Sequence, residues 1–233
     1  MGLTIITVSN LMNLNRASSK MKNVILIGAN GHTAKAIIPL LLEQSDVRLT
    51  LFLRRAARVN DRKNDRVNIV EGDATNMADL RNAISEQDIV ISTLGGPDLD
   101  LKTANIVSVM KDLGTKRIIA ISAGGIYDEL PEPFNSWDKS IVGHYRPSGL
   151  KTAEVVEQSS LTYTVLRPVW LTDKPTEEFE LTKKGEVYKG TETSRASIAR
   201  FVAEVVENPD RYANENLGIS QPNTDGIKPA AYR

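Results

Sequence analysis

The sequence predicts an α/β protein: a doubly wound parallel sheet in a single domain. Two observations carry this. From Lys22 onward, short runs rich in Val, Ile and Leu alternate with segments of helical periodicity. The short runs are apolar throughout, the pattern of strands covered on both faces, and right-handed crossovers then wind helices onto both sides of the sheet. No internal repeat, low-complexity segment or linker divides the chain. Residues 23–28 (NVILIG) read as the first strand and residues 33–44 as a helix, with Pro39 a point where it could kink. Residues 48–54 and 67–72 are the second and third strands, followed by a helix at 77–85. Residues 88–96 form a fourth strand ending in two glycines, and residues 102–114 a helix that a glycine stops. The fifth strand is 117–125, the next helix 144–158 and the sixth strand 161–168. A last helix covers 195–207, and 217–220 is a seventh strand. Residues 171–193 are polar and lack apolar periodicity, so they read as a substrate-side excursion from the sheet within a domain spanning 22–233.

Residues 1–21 read as an N-terminal extension. Their basic residues, Arg16 and Lys20, follow the mildly apolar stretch, whereas a secretory signal places its basic residues first. The 29 basic and 29 acidic residues balance to zero net charge, which argues against a nucleic-acid-binding surface. With no cysteine there is no disulfide, thiolate metal site or cysteine nucleophile, and a reducing, cytoplasmic setting is expected. Two histidines, His32 and His144, are too few for a histidine-built metal centre. No apolar run is long enough to cross a bilayer, and no acidic pair has hydrolytic spacing. The expected partner is a small molecule, with no nucleic acid and no membrane.

In a doubly wound sheet, ligands bind beyond the carboxyl ends of the strands. Behind the first strand stands GANGHTA, with Gly28, Gly31 and Ala34 spaced G-x-x-G-x-x-A. Glycines there permit a tight turn and close approach of backbone N–H groups to a pyrophosphate, which the helix N-terminus also favours. Asn30, His32 and Thr33 belong to the same loop, His32 within reach of a phosphate.

Six stretches, NVILIGANGHTAKAIIPLLL, EGDATN, ISTLGG, KRIIAISAGGIY, LKTAEVVEQSSLTYTVLRP and LGISQPNTDGIKPAAYR, together resemble the atypical short-chain dehydrogenase/reductase group. More narrowly, they are similar to its NmrA-like NAD(P)H-binding members. The resemblance runs from Lys22 to the C-terminus and implies a Rossmann-type fold with a nicotinamide cofactor. An acid after the second strand would bind the ribose 2′-hydroxyl of NAD. This chain has Arg54 and Arg55 there, with Arg58 close behind, so NADP is expected over NAD. The resemblance sets Asp73, with Ala74, at the adenine, and runs the cofactor past Thr93, Leu94, Gly95 and Gly96. It makes Ser122 the hydrogen-bonding partner of a substrate carbonyl. It also implies a Tyr-x-x-x-Lys motif whose tyrosine is the acid and whose lysine holds the nicotinamide ribose. Lys151 is present, but Pro147 stands in the tyrosine's place. Tyr145, six residues before Lys151, falls on another helical face, and Tyr127 follows the fifth strand. Arg167, Trp170, Tyr188, Trp137 and His144 are further candidates for the substrate side, Trp170 and Tyr188 as an apolar lid.

The reading is an NADPH-dependent oxidoreductase in which Ser122 and Lys151 are the catalytic candidates and the acceptor is flavin- or quinone-like. A non-catalytic NADP(H)-binding redox sensor is the alternative. A sugar-nucleotide epimerase or dehydratase is a third, weakened most by the missing tyrosine.

Overall fold

The computed structural model describes residues 20–233, so most of the N-terminal extension lies outside the described residues. The strands are β1 (Lys22–Ile27), β2 (Val47–Leu53), β3 (Val67–Glu71), β4 (Ile89–Ser92), β5 (Arg117–Ile121), β6 (Thr162–Pro168), β7 (Trp170–Thr172), β8 (Glu180–Lys183), β9 (Glu192–Ser194) and β10 (Glu215–Ser220). The helices are α1 (His32–Glu43), α2 (Met77–Ile84), α3 (Leu99–Leu113), α4 (Phe134–Val142), α5 (Arg146–Glu157) and α6 (Arg195–Glu207). Among the described residues, eight strands make the main sheet in the order β3-β2-β1-β4-β5-β6-β10-β8. All neighbours are parallel except β8, which runs antiparallel to β10. The strand order reverses between β1 and β4, the switch point where such sheets open a crevice.

The continuous apolar strands follow from two-sided burial. Val24 and Leu26 pack with α1 and α6 on one face, while Ile25 and Ile27 pack with α2, α3 and α5 on the other. Leu51 and Phe52, Ile91 and Val90, and Leu166 and Val165 divide in the same way. The central strands are covered by helices on both faces, so no polar alternation is needed there.

Local chemistry sets the helix ends. The Asn76 side chain accepts the N–H groups of Ala78 (2.9 Å) and Asp79 (3.2 Å) to start α2, and Ser194 accepts Ser197 N–H (3.0 Å) to start α6. Gly114, at φ +75°, ends α3 in the left-handed conformation. Pro39 lies within α1, which continues through it. No helix among the described residues is long and apolar enough to cross a membrane.

Several expectations need correction. The fourth and fifth strands end at Ser92 and Ile121, and the residues behind them turn as loops. The segment before α5 contains an additional helix, α4. Residues 171–193 do not leave the sheet altogether. Glu180–Lys183 returns to its edge as β8, and β7 pairs with β9 in a small second sheet. Tyr188 is no lid. It is 2% exposed, and its hydroxyl faces the carbonyls of Arg167 and Ile219 while accepting Ile219 N–H at 3.0 Å. Its ring lies where a Cβ on Gly218 would come within 2.5 Å of it, so the strand gives up a side chain to admit the ring. Burial pushes the phenol well above its usual range.

Tyr188→Phe should therefore cost about 1–3 kcal/mol, the cost of stranding buried backbone groups that lose their partner. The measurement is a urea unfolding curve. The midpoint should fall at an unchanged slope, with NADPH binding preserved.

Candidate functional site

A cleft of about 680 Å3 opens at the carboxyl ends of β1, β2, β3 and β4. Its floor is built from close approaches. Gly28 turns at φ +89°, and a Cβ there would sit 3.0 Å from Thr93 Oγ1. Thr93 in turn donates to the carbonyls of Ile27 (3.0 Å) and Gly28 (3.2 Å), tying the end of β4 to the loop behind β1. Gly72 is bare because Phe52 fills its side-chain space, with Phe52 Cε2 2.5 Å from where a Cβ would be.

The N-terminus of α1 faces this floor without a capping side chain, and its first turn holds no acid. Its leading N–H groups are therefore available to an anion, where the helix dipole adds to their attraction. Gly31 is exposed at the N-cap with φ −69°.

The wall is strongly cationic. Arg54, Arg55, Arg58 and Lys102 line the cleft, against the carboxylates Asp73 and Asp98. Lys102 pairs with Asp98 at 2.8 Å, and among the described residues the three arginines make no salt bridge. Asp73 Oδ1 accepts both the N–H and the hydroxyl of Thr75, each at 2.8 Å. These bonds first, and the charges of Arg54 and Lys102 after them, hold the Asp73 carboxyl below its usual range. Lys102 likewise lowers Asp98, by hydrogen bond first and charge second.

The cleft thus brings together Gly28, Asn30, Gly31, Arg54, Arg55, Asp73, Ala74, Thr93, Leu94 and Gly95. It does not include His32, Thr33, Gly96, Ser122 or Lys151. His32 is exposed and Thr33 half-buried in the first turn of α1, where helical geometry carries both away from the floor. Gly96 turns at φ +102°, and its carbonyl accepts Leu99 N–H (3.3 Å) at the start of α3. Ser122 stands beyond β5 and donates to the Gly149 carbonyl of α5 at 2.8 Å. A Cβ on Gly149 would lie 3.1 Å from that hydroxyl, so α5 rests directly against the strand end. Lys151 is exposed on α5, two residues past Gly149. Sequence reasoning missed Lys102, Asp98 and Phe52; the Asp98–Lys102 spacing on one helix was the available signal for the first two.

The remaining substrate-side candidates divide. Arg167 is fully buried and does not face a substrate. It pairs with Glu129 (3.0 Å) and donates to Asn216 Oδ1 (2.7 Å), because a guanidinium inside the fold must be matched. Tyr127 accepts from Asn216 (2.9 Å) and donates to Glu157 (3.3 Å). Burial, then the Glu157 charge, raises its pKa. Tyr145 is 46% exposed and packs its ring 4.0 Å from that of His144. Pro147 lies in the first turn of α5, where its missing N–H costs nothing.

An uncapped helix start, a glycine-floored cleft at the switch point and a cationic wall define a dinucleotide-binding protein of the Rossmann type. The family model described as NAD(P)H-binding matches residues 28–209. The chain belongs to that NAD(P)H-binding family. It is similar to the structure of a Rossmann-fold NAD(P)-binding family protein from Shigella flexneri, at 35% identity and a TM-score of 0.78, over 90% of this chain and 98% of that one. A short-chain dehydrogenase/reductase from Veillonella parvula in complex with NADP shares the fold, with TM-score 0.84, 24% identity, and 90% and 99% covered. So does ChuY, an anaerobillin reductase from Escherichia coli, with TM-score 0.75, 22% identity, and 88% and 100% covered.

The residues present fit a nicotinamide dinucleotide, and Gly31 offers a clean test. At φ −69° the backbone accepts any side chain, and a Cβ would meet only the Gly28 carbonyl, at 3.4 Å. Gly31→Val should keep its melting temperature while weakening NADPH and NADH alike by roughly tenfold or more, since its bulk faces the pyrophosphate path. Isothermal titration beside a thermal melt reads both.

Proposed function

We propose that this protein is an NADPH-dependent oxidoreductase whose acceptor is a flat, conjugated molecule of the flavin or quinone kind. The observation that carries this is Pro147. It occupies the first turn of α5 in the place of the tyrosine acid and has no proton to give. Neighbouring groups do not substitute for it. Ser122 already donates its proton to Gly149, and Tyr127 is committed to Glu157 with its phenol pKa raised. Reducing a simple ketone builds charge on one oxygen and needs a placed acid or oxyanion donors. A conjugated acceptor spreads that charge and takes its proton from water afterwards. The bound cofactor would supply the hydride, while the protein orients it. In this reading Lys151 holds the nicotinamide ribose and does not act as an acid, and Ser122 positions α5. Likeness to a reductase and to an NADP complex supports the class of reaction and the cofactor.

The preference for NADP rests on Arg54, Arg55 and Arg58 lining the adenosine side of the cleft with no acid directly behind β2. The missing acid also suits a second reading, a protein that binds NADP(H) without turnover. Cofactor binding with no oxidation in the presence of any acceptor would favour that sensor.

Arg54→Ala should weaken NADPH binding by about tenfold, corresponding to roughly 1.5 kcal/mol for one charge-assisted contact, and leave NADH nearly unchanged. Equal titration curves for NADPH and NADH in the unmutated protein would remove the basis for NADP. The acceptor is tested by steady-state NADPH oxidation over quinones, flavins and simple ketones. Quinones or flavins should be the good substrates, Tyr145→Phe should keep most activity, and Lys151→Ala should mainly raise the KM for NADPH. Efficient ketone reduction lost in Tyr145→Phe would overturn the reading.

A further inference from the structure

Beyond the cofactor cleft, a third apolar cluster lies apart from the two that cover the sheet. Leu130, Phe134 and Tyr188 are buried in it, with Trp137, Val169 and Trp170 packed against them. Three rings meet there. The centroids of Trp137 and Trp170 are 4.8 Å apart, and Tyr232 stands 5.3 Å from Trp137 and 5.0 Å from Trp170. They come from α4, from β7 and from the final turn Ala230–Tyr232.

The tryptophan pair is fixed in place. Trp170 Nε1 donates to Asp138 Oδ1 (2.9 Å), and the other Asp138 oxygen accepts from Arg146 (2.7 Å). Arg146 opens α5 and lies against Gly125, whose Cβ would come within 2.7 Å of the guanidinium. The same helix receives the Ser122 hydroxyl at Gly149. A chain of direct contacts therefore joins the tryptophans to the end of β5.

Tyr232 is held differently. It is half-exposed, and its hydroxyl has no hydrogen-bond partner among the described residues. The latch lies just upstream. Ala230 N–H donates to Glu192 (2.7 Å), and that carboxylate, buried at 3% exposure, pairs with Lys174 (2.7 Å). Tyr232 N–H donates to the Pro229 carbonyl (2.9 Å), so the backbone is anchored while the ring, among the described residues, is held by aromatic contacts.

We infer that Trp137 and Trp170 form the aromatic platform for the acceptor and that Tyr232, set at 53° to one indole and 66° to the other, is a built-in competitor, its ring seated where a flat substrate ring would lie. The inference rests on the proposed reductase activity and names the residues that select its substrates. The indoles are inclined at 45° to each other, so a planar conjugated ring can lie on the face of one and meet the other obliquely, contacts that an aliphatic carbonyl compound cannot make. Each binding event must first displace Tyr232, so apparent affinity is reduced by the fraction of time the platform is covered.

The chain has two tryptophans, both in this platform, so fluorescence excited selectively at tryptophan reports on it alone. The test is quenching by menadione with NADP+ present and no turnover, for the unmutated protein, Tyr232→Ala and Tyr232→Phe. Tyr232→Ala should bind menadione about three- to tenfold more tightly, the worth of an aromatic contact, with NADPH affinity unchanged. Tyr232→Phe should behave as the unmutated protein, and Trp137→Leu in the Tyr232→Ala background should lose the gain. The KM for menadione should fall with the binding constant while kcat stays level. Equal or weaker quenching in Tyr232→Ala, or none in either protein, overturns the inference even if menadione is reduced well. Tighter quenching without turnover keeps the site and removes the reductase reading instead.

Discussion

The cleft depends on one missing side chain. At Gly28 three strand ends converge. The N–H groups of Gly28 and Ala29 reach the Phe52 carbonyl at 3.0 and 3.2 Å, and Thr93 presses from β4 into the space a Cβ would need. A side chain there would be strained by φ +89° and would also push β1 from β4 at the switch point. Because both faces of the sheet are packed, that displacement could not be absorbed by sliding a strand. The shape of the cofactor cleft is thus inherited from core packing through a single residue, and the uncapped start of α1 is held over it by the same turn.

The region beyond β5 is organised by buried charge. Glu129 accepts the N–H groups of Gly125 (2.6 Å) and Tyr127 (2.8 Å) and pairs with Arg167, which in turn grips Asn216 on β10. Such a pair adds little net stability over an apolar equivalent, but losing one partner leaves an unmatched charge inside the fold. Its value here is register: it fastens the loop after β5 to the far strands, so Ser122 and the Trp137–Trp170 cluster sit on a braced edge. Arg117 plays a related part at the opposite end, donating to the carbonyls of Pro209 (2.8 Å) and Ile118 (2.9 Å) and to Thr164 Oγ1 (2.7 Å); burial lowers its pKa to about 10.

Most of the sheet was legible because two-sided burial writes itself as unbroken apolar runs, and the phosphate loop because its glycines follow one such run directly. Helix α4 was missed although Phe134, Trp137 and Ile141 recur at helical spacing; the proline-rich stretch before it reads as loop. The return of β8 was missed because an antiparallel edge strand of four residues, three of them polar, carries little periodic signal. Asp98 and Lys102 became part of the cleft once α3 began three residues earlier than its periodicity indicates.

By itself the sequence determined the winding of the fold, the glycine loop behind β1, the arginines behind β2 and the absence of an acid at Pro147. Each is a local property, carried by neighbours in the chain and by the intrinsic geometry of glycine, proline and the strand. The tertiary structure alone decided that Tyr188 and Arg167 turn inward, that His32 turns out, and that Trp137, Trp170 and Tyr232 meet. Those encounters join segments far apart in the chain. Their outcome depends on which buried polar groups find partners and which glycines leave room, and side-chain periodicity does not encode either.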